Sequence, residues 1–313
     1  MWSFGDRFLV WAGGKWVTRK AQQMRRELWN WLEEANYATG TGTMRYSPNP
    51  RKVAGVLEAL DAAAAAPWVE LPAWSRRGVE VTEFDPEAGT VGVVPLPTPE
   101  TCVAFRDVVV SVEGGVVRTV PRDERWVDVA MVDVEWDPGA KCPRWMRALE
   151  EWGEGDPVWG EGLRRMFGYC LMSKRAYAKW FLLQGKSRGG KGVICRVLRG
   201  LVGDAAWFSS SIADLAGTFG LDGVQHARVM SIPEVSLEDM RDRQTVARIM
   251  KQIVGGDEIT VNVKHQRQER NVRSCAVPIL SGNMIPVLAN EASGLSGKMV
   301  VVPFTRTFLG HEQ

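Results

Sequence analysis

Hydrophobic and polar positions alternate differently in successive parts of the chain, which has 313 residues. Two apolar, aromatic runs, FLVWA and KWVT, meet at Gly13-Gly14 and predict a β-hairpin. Apolar residues at helical spacing follow, and they predict helices over Gln22–Tyr37 and Arg51–Ala66. Over residues 79–137 the pattern changes to short β-rich runs separated by Pro and Gly: VEVTEF, TVGVVPL, DVVVSVEGGVVRTV and WVDVAMVDVEW.

Helical periodicity returns at Pro143–Trp152 and Val158–Met172. In the last part of the chain, helices alternate with apolar strands, which are KWFLLQ, RVMSI, EITVNV, CAVPILS and MVVVPF. Apolar strands separated by helices favour a parallel or mixed sheet in an α/β fold. The predicted organisation is a smaller α+β domain (residues 1–140), a helical collar (residues 141–177) and an α/β domain (residues 178–313).

Composition narrows the range of functions. Lys and Arg exceed Asp and Glu by only two, so any nucleic-acid contact has to be a local basic patch. The five cysteines form no CxxC pair and only three histidines are present, which argues against a zinc site or a disulfide framework. The chain has no leader-like start and no apolar run near ~18 residues. These features predict a reduced, soluble, cytoplasmic protein.

The most specific motif has the spacing GxxxxGK and stands between the strand KWFLLQ and the helical stretch VICRVLRGLVG. Its residues are Gly185, Lys186, Ser187, Arg188, Gly189, Gly190, Lys191 and Gly192. Glycines let the backbone wrap phosphates, the helix N-terminus faces their charge, and Lys191 can reach the terminal phosphates. A Gly-rich turn without a ligand has a similar composition, but the strand–loop–helix setting favours ATP binding.

This loop lacks the usual hydroxyl ligand for magnesium. Gly192 stands where a Ser or Thr normally binds Mg²⁺. A water, Ser187 or another group has to supply that ligand. The predicted cofactors are ATP and Mg²⁺, with the metal held through the nucleotide and Glu234 as a candidate ligand.

Two later strands end in polar residues. The run RVMSI is followed by Pro233 and Glu234, and another apolar run ends at Asn283. Ligands of α/β sheets bind at the carboxyl ends of the strands. Glu234 could therefore activate the attacking water, and Asn283 could hold that water against the γ-phosphate. Either residue is common at a strand end without such a role, but the phosphate loop favours the catalytic interpretation.

A basic hairpin is predicted near the end of the chain, where strands Glu258–Val263 and Val272–Leu280 flank a tip. Four Lys and Arg residues against one Glu give the tip a local charge of about +3. The candidate DNA-binding residues are Lys264, His265 and Arg267. A hairpin tip can carry such residues simply to stay solvated, but concentrated charge suits sequence-independent contacts with DNA phosphates.

Several of these stretches resemble superfamily 3 helicases, specifically the phage, plasmid and poxvirus-like primase-helicases. The matching stretches are FLLQGKSRGGKG, RVMSIPE, KQIVGGDEITVNVK, LSGNMIP and SGKMVVVPFTRTFLG. The resemblance implies an AAA+-like P-loop ATPase, a ring that is a hexamer of identical subunits, ATP hydrolysis between subunits, and movement along single-stranded DNA from 3′ to 5′. It gives Lys191, Glu234 and Asn283 the phosphate, catalytic-acid and sensor roles, and it matches Lys264 and His265 to the DNA-contacting loop.

The chain departs from that family at two places. Lys298 stands where relatives present an arginine pair that enters the neighbouring subunit, and lysine lacks the bidentate fork of arginine. Arg306 is a second candidate for this trans-acting cation. The chain also stops where relatives continue into a further helix and a winged-helix domain, so a truncated C-terminus is expected.

The predicted function is a DNA helicase, an ATP hydrolase that acts in the replication of a phage, plasmid or mobile element. A primase or polymerase is a predicted further partner. The alternatives are a replication initiator or remodelling ATPase without processive unwinding, and a catalytically degenerate scaffold, which Gly192 and Lys298 favour. A small-molecule kinase would not need the basic hairpin. Asp133, Glu135 and Asp137 alternate along a predicted strand and could hold metal ions, but a solvent-facing edge strand has the same pattern.

Overall fold

The computed structural model describes residues 1–4, 7–64, 71–75, 80–85, 90–173, 175, 177–233, 243–262, 269–284 and 294–308. Contacts within the chain define two compact units, which are Met1–Ser75 with Asp123–Val129, and Arg76–Arg122 with Ala130–Gln313. They therefore group most of the β-rich middle region with the C-terminal part, whereas the sequence pattern placed it with the N-terminal part. None of the described helices is long and apolar enough to cross a membrane.

The first unit begins with a three-stranded antiparallel sheet followed by two helices. Its elements are β1 (Trp2–Phe4), β2 (Arg7–Ala12), β3 (Lys15–Lys20), α1 (Ala21–Glu34), β4 (Asn36–Thr39), β5 (Gly42–Arg45), α2 (Pro50–Ala64) and β6 (Ala73–Trp74). The predicted hairpin is confirmed, because β2 pairs with β3 and both Gly13 and Gly14 have positive φ, the region that favours glycine. Phe8 of the sheet packs with Met24 of α1 and Leu57 of α2.

The middle region consists of short antiparallel strands. They are β7 (Glu80–Asp85), β8 (Thr90–Pro95), β9 (Cys102–Ala104), β10 (Val108–Glu113), β11 (Val116–Pro121) and β12 (Trp126–Val127). Strands β7 and β8 form a hairpin, β9 to β11 form a sheet in the order β11-β10-β9, and β12 pairs with β6 in the first unit.

The predicted strand WVDVAMVDVEW is wrong beyond its first two residues, which form β12. Asp133 accepts a hydrogen bond from Arg106 at 3.3 Å, and Asp137 accepts one from the Gly139 amide at 2.8 Å. The bond from Gly139 to Asp137 is local and stabilises a turn at the expense of a strand, whereas Asp133 is held by a residue distant in the sequence. The alternating carboxylates therefore do not share the face of one strand.

The C-terminal region contains the largest sheet and most of the helices. Its elements are α3 (Pro143–Trp152), α4 (Pro157–Leu171), β13 (Trp180–Gly185), α5 (Lys191–Val202), β14 (Trp207–Ser209), α6 (Ile212–Leu215), β15 (Val229–Ile232), α7 (Arg243–Gly255), β16 (Glu258–Asn262), β17 (Glu269–Arg273), β18 (Val277–Gly282) and β19 (Met299–Phe304). The two collar helices and the five apolar strands predicted from the sequence are all present, within one or two residues of their expected bounds.

Five of these strands form one parallel sheet in the order β14-β15-β18-β13-β19. The inner strands are buried, as expected for runs of apolar residues in a parallel sheet. The fold of this region is therefore α/β with a parallel sheet. Strand β14 was not predicted, because its three residues are too few to show a period. The antiparallel hairpin β16–β17 adds Ile259, Val261 and Val272 to the core beside the sheet.

Candidate nucleotide-binding site

The carboxyl ends of the parallel strands meet at one edge of the sheet. Gln184 pairs with Gly282 across β13 and β18, and Gly185 pairs with Phe304 across β13 and β19. The phosphate loop that follows β13, Asn283 that follows β18 and the segment that follows β19 therefore start at the same edge. This is where open α/β sheets bind their ligands.

Close packing explains the first glycine of the phosphate loop. A Cβ atom on Gly185 would lie 2.2 Å from the main-chain oxygen of Phe304 in β19. No side chain is accommodated at that distance without moving the neighbouring strand. At the other end of the loop, Gly190 has a φ of 98° and caps α5. Glycine thus meets two different needs, close approach at Gly185 and a left-handed backbone at Gly190.

Lys191, the first residue of α5, turns its side chain back into the loop. Its Nζ donates hydrogen bonds to the main-chain oxygens of Gly185 and Lys186, the latter at 2.7 Å. Partial burial lowers the pKa of Lys191, because the charged form is poorly solvated there. The cation therefore stands at the N-terminus of a twelve-residue helix, where the helix dipole also favours an anion. These donors fit the phosphates of a nucleotide.

The helices α3 and α4 contribute contacts that the sequence pattern did not predict. A Cβ on Gly190 would lie 2.7 Å from Nε1 of Trp152, the last residue of α3. Trp159 donates from Nε1 to the main-chain oxygen of Pro303 at 2.7 Å and packs edge-on against Phe304. The collar therefore contacts both the phosphate loop and the end of β19. Only the fold brings these tryptophans to the site, since the motif itself does not contain them.

The metal-binding position of the loop is open to a larger residue. A Cβ on Gly192 would meet only Nη1 of Arg196, at 3.8 Å, which is ordinary contact. Gly192 has a helical backbone within α5, so neither space nor conformation requires glycine there. Ser187 is exposed in the loop. Neither residue is placed on a metal by these observations, and a ligand in place of the usual hydroxyl stays a prediction.

Four candidate residues lie outside the described part of the chain. Glu234 directly follows Pro233, the last described residue after β15. Lys264, His265 and Arg267 belong to residues 263–268, between the strands β16 and β17. The strands themselves are described and pair from Glu258↔Arg273 to Asn262↔Glu269, so a hairpin is present. Its second strand is Glu269–Arg273, and the predicted strand Val272–Leu280 is wrong, because its latter part belongs to β18 in the parallel sheet. The roles of the four side chains stay predictions.

The two candidate trans-acting cations lie at opposite edges of the sheet. Lys298 ends a short 3₁₀ turn that leads into β19, whose first residue, Met299, pairs with Trp180 at the start of β13. Trp180 donates from Nε1 to the Leu295 main-chain oxygen at 2.9 Å, and Lys179 donates to that of Gly297 at 3.1 Å. At about 3.3 Å per strand residue, Lys298 is a strand length, roughly 15–20 Å, from its own phosphate loop.

Arg306 instead lies beside its own phosphate loop. Its Nη1 donates to the main-chain oxygen of Glu151 at 3.3 Å, and its guanidinium stands 5.4 Å from the ring centre of Phe308. The amide of Phe308 in turn donates to the loop oxygen of Arg188 at 3.2 Å. The neighbouring Thr305 donates from Oγ1 to Glu154 at 3.2 Å. The segment that carries Arg306 is thus bonded to the phosphate loop and to the end of α3.

Comparison with known proteins gives one family and several solved structures. Residues 183–294, about a third of the chain, match a family described as a family of unknown function (DUF5906). No curated protein matches the chain. The apo NrS-1 C terminal region (305-718) is similar at 13% identity and a TM-score of 0.49, over 93% of this chain and 64% of that one.

Two further structures show a weaker likeness. The A form apo structure of the NrS-1 C terminal region has 14% identity and a TM-score of 0.47, over 90% of this chain and 59% of its own length. The X-ray structure of JCV Helicase has 15% identity and a TM-score of 0.36, over 54% of this chain and 46% of that one. This chain therefore spans about three fifths of the NrS-1 structure it resembles. At such identities and TM-scores the likeness assigns no activity to it.

Proposed function

We propose that the chain is an ATP-dependent helicase of the superfamily 3 type, with an AAA+-like P-loop domain that works in a ring on single-stranded DNA. The observation that carries this proposal is the convergence of the phosphate loop and Asn283 at the carboxyl edge of one parallel sheet. Lys191 is already directed into the loop by its two hydrogen bonds. The order of motifs along the sequence, including those that follow the loop, supports the same assignment.

Each residue has a defined part in the proposed hydrolysis. Lys191 and the amides at the start of α5 hold the β- and γ-phosphates and offset their charge. Glu234 accepts the proton of the attacking water, and Asn283 orients that water. Attack on the γ-phosphorus breaks the bond to the bridging oxygen and releases ADP and phosphate. Mg²⁺ bound with the nucleotide would neutralise charge on the phosphate oxygens.

Packing supplies a route from the nucleotide site to the basic hairpin. Ile259 and Val261 of β16 and Val272 of β17 belong to the same core cluster as Met230 and Ile232 of β15. Glu234 follows β15 by two residues. A displacement of that strand end would therefore shift the core residues that pack beneath the hairpin. We propose that the tip residues Lys264, His265 and Arg267 use this connection to pull on the DNA backbone.

A second function is favoured by one observation, the open space at Gly192. Because a serine or threonine fits there, glycine reflects either a different metal ligand or relaxed selection on hydrolysis. In the second case the chain binds ATP as a switch or scaffold, or it remodels DNA as an initiator without processive unwinding. These alternatives differ from the helicase in turnover, and they share its nucleotide binding.

An ATPase assay with and without single-stranded DNA tests the proposal. The parent protein should hydrolyse ATP faster when DNA is present and should unwind a forked duplex. Lys191→Ala should lose ATP binding, whereas Glu234→Gln should keep binding and lose turnover by roughly 100-fold or more, since the amide cannot accept a proton.

The outcomes separate the candidate functions. Binding without turnover in the parent protein supports the scaffold, and turnover without unwinding supports the remodelling ATPase. Hydrolysis that ignores DNA argues against both DNA-dependent functions. Parental turnover in Glu234→Gln would show that the catalytic acid has been assigned to the wrong residue.

A further inference from the structure

A pocket of about 330 Å³ lies in the first unit, where α1 meets the start of α2. Its lining consists of Arg25, Arg26, Trp29, Asn30, Pro50 and Val53. We call it the α1–α2 pocket. Its volume is at the lower end of the range of ligand-binding pockets. Nothing in the nucleotide site or the basic hairpin accounts for it.

The pocket combines a buried floor with exposed cations. Val53 is buried at 2% exposure and Trp29 is half-buried, whereas Arg25 and Arg26 are exposed. Among the residues that the structure describes, neither arginine forms an ion pair, although the nearby Arg19 is held by Glu27 at 2.9 Å. Two guanidinium groups that have no ion-pair partner within the described part of the chain therefore stand at the mouth of a site with an indole wall.

The charge around the pocket is concentrated in the sequence as well. Residues 15–52 contain eight Lys and Arg residues against three Glu residues, an excess of about five, in a chain whose total net charge is +2. Lys52, next to the pocket residue Val53, holds its ammonium 4.7 Å from the ring centre of Tyr46, which packs edge-on against Tyr37. Aromatic and cationic side chains thus continue beyond the pocket.

We infer that the α1–α2 pocket binds single-stranded DNA, as a second contact separate from the hairpin tip. One unpaired base packs against Trp29, the Asn30 amide bonds to its edge, and Arg25 and Arg26 bind the flanking phosphates. Arginine suits phosphate because its planar donors form bidentate hydrogen bonds. An aromatic wall beside a basic surface is the usual arrangement for binding single strands without sequence preference.

The indole and the amide favour this ligand over an acidic peptide or a lipid surface. An acidic peptide would use the two arginines but has no planar group that requires an aromatic wall. Exposed Trp31, Tyr37 and Met44 lie in the same unit, so the preference over a lipid surface rests on the pocket itself, whose apolar members form an indole wall and a buried floor suited to one planar group. Duplex DNA keeps its bases stacked, so the pocket would discriminate against it.

Equilibrium binding of a fluorescent oligo-dT strand to the full chain tests this inference. Arg25→Ala/Arg26→Ala should weaken binding and lower the slope of log affinity against log salt by about 1.4, or about 0.7 for each lost phosphate contact. Trp29→Leu should weaken binding by about fivefold to 150-fold, the range for loss of one stacked base, whereas Trp29→Phe should retain most of it.

The matched control is Arg164→Ala/Arg165→Ala, which removes two charges from exposed arginines of α4 that pair with Glu161. It should leave the affinity and the salt slope near the parental values. All variants should bind ATP normally, so a failure of the nucleotide site would be seen separately from a failure of the pocket.

Unchanged oligo-dT affinity in both Arg25→Ala/Arg26→Ala and Trp29→Leu would overturn the inference. Equal loss of affinity in the pocket variants and the control would also overturn it, since that result reports general charge. Stronger competition by an acidic peptide or by anionic vesicles than by unlabelled oligo-dT would assign the pocket to another class of ligand and would contradict the inference as well.

Discussion

The glycines of the phosphate loop differ in whether the structure around them requires glycine. At Gly185 a side chain would collide with the backbone of β19, so the position is fixed by the neighbouring strand. At Gly192 the surroundings are open and the backbone is helical, so the glycine is a chemical choice. The two positions look equivalent in the sequence, and they are expected to respond in opposite ways to substitution.

Replacing Gly192 by serine tests whether the missing hydroxyl limits the metal. Gly192→Ser should fold normally and should lower the Mg²⁺ concentration that gives half-maximal ATPase activity by severalfold, because the new oxygen can join the metal ligands. Gly192→Ala is the control, since it supplies the better helix former without an oxygen. Alanine should raise the free energy of unfolding by about 0.5–1 kcal/mol, the difference in helix propensity, and leave the Mg²⁺ dependence unchanged.

Identical Mg²⁺ titrations of the serine and alanine variants would mean that the hydroxyl does not reach the metal. In that event another group supplies the ligand, and Ser187 is the next residue to replace. A melting curve of each variant shows whether the helix effect is present.

For single residues, the sequence predicted the positions within a contiguous motif, but it did not predict which distant residues contact that motif. The loop spacing located Lys191 because the motif is contiguous, and the structure confirms its position at the start of α5. Trp152 and Trp159 could not be assigned in this way, since a tryptophan in an amphipathic helix has the same pattern whether it faces a core or a phosphate loop. Their contacts with Gly190 and Pro303 depend on the fold.

Among the elements, long periodic segments were predictable, whereas the short strand β14 and the turns around Asp133 were not. The helices α3 and α4 and the apolar strands of the sheet follow from their spacing, since several residues in each agree on one period. The strand predicted around Asp133 is absent: Asp133 bonds to the distant Arg106, and Asp137 bonds locally within the turn at Gly139. Alternation alone cannot distinguish a strand from such a turn.

The β16–β17 hairpin is the element that we expect to hold DNA. Lys264→Ala/His265→Ala should weaken single-stranded DNA binding, lower its salt dependence and abolish unwinding, because contacts with the phosphates are lost. Basal ATPase activity without DNA should survive. The measurements are oligo-dT binding at several salt concentrations and a forked-duplex unwinding assay.

Arg273→Ala serves as the control for the hairpin variant. Arg273 lies on the same hairpin, away from its tip, and pairs with Glu258 at 3.8 Å. Its loss should affect DNA binding less than the loss of the tip residues. Equal effects of the two variants would show that DNA binding depends on the overall charge of the hairpin and not on specific contacts of its tip.

On the scale of the whole molecule, the sheet separates the two halves of the proposed catalytic site. The phosphate loop stands at its carboxyl edge and Lys298 at its amino edge, so Lys298 cannot serve the nucleotide of its own chain. If ATP lies between subunits, hydrolysis per subunit should fall on dilution. An equal mixture of Lys298→Ala and Glu234→Gln subunits should recover full hydrolysis at about a quarter of the contacts, the share in which both residues are intact.

The same mixing with Arg306→Ala distinguishes the two candidate cations. Arg306 lies near the phosphate loop of its own chain, so we expect it to act in cis, and its mixture with Glu234→Gln should then show no rescue. We expect Lys298→Ala, with rings confirmed by light scattering, to be slow in hydrolysis and normal in ATP binding. An absence of rescue in its mixture with Glu234→Gln would contradict the trans role of Lys298.

The proposed nucleotide site lies at one edge of the sheet and the activating cation at the other. The number of complete sites therefore depends on whether the ring of subunits is closed. Each contact between subunits is heterologous, joining unlike surfaces. A closed ring has one complete site for every subunit, whereas an open row always leaves one terminal loop unserved, so a dimer works at about half capacity. ATPase activity per subunit would then report the fraction of subunits in closed rings. A loading partner that opens the ring would inactivate the one site at the opened contact.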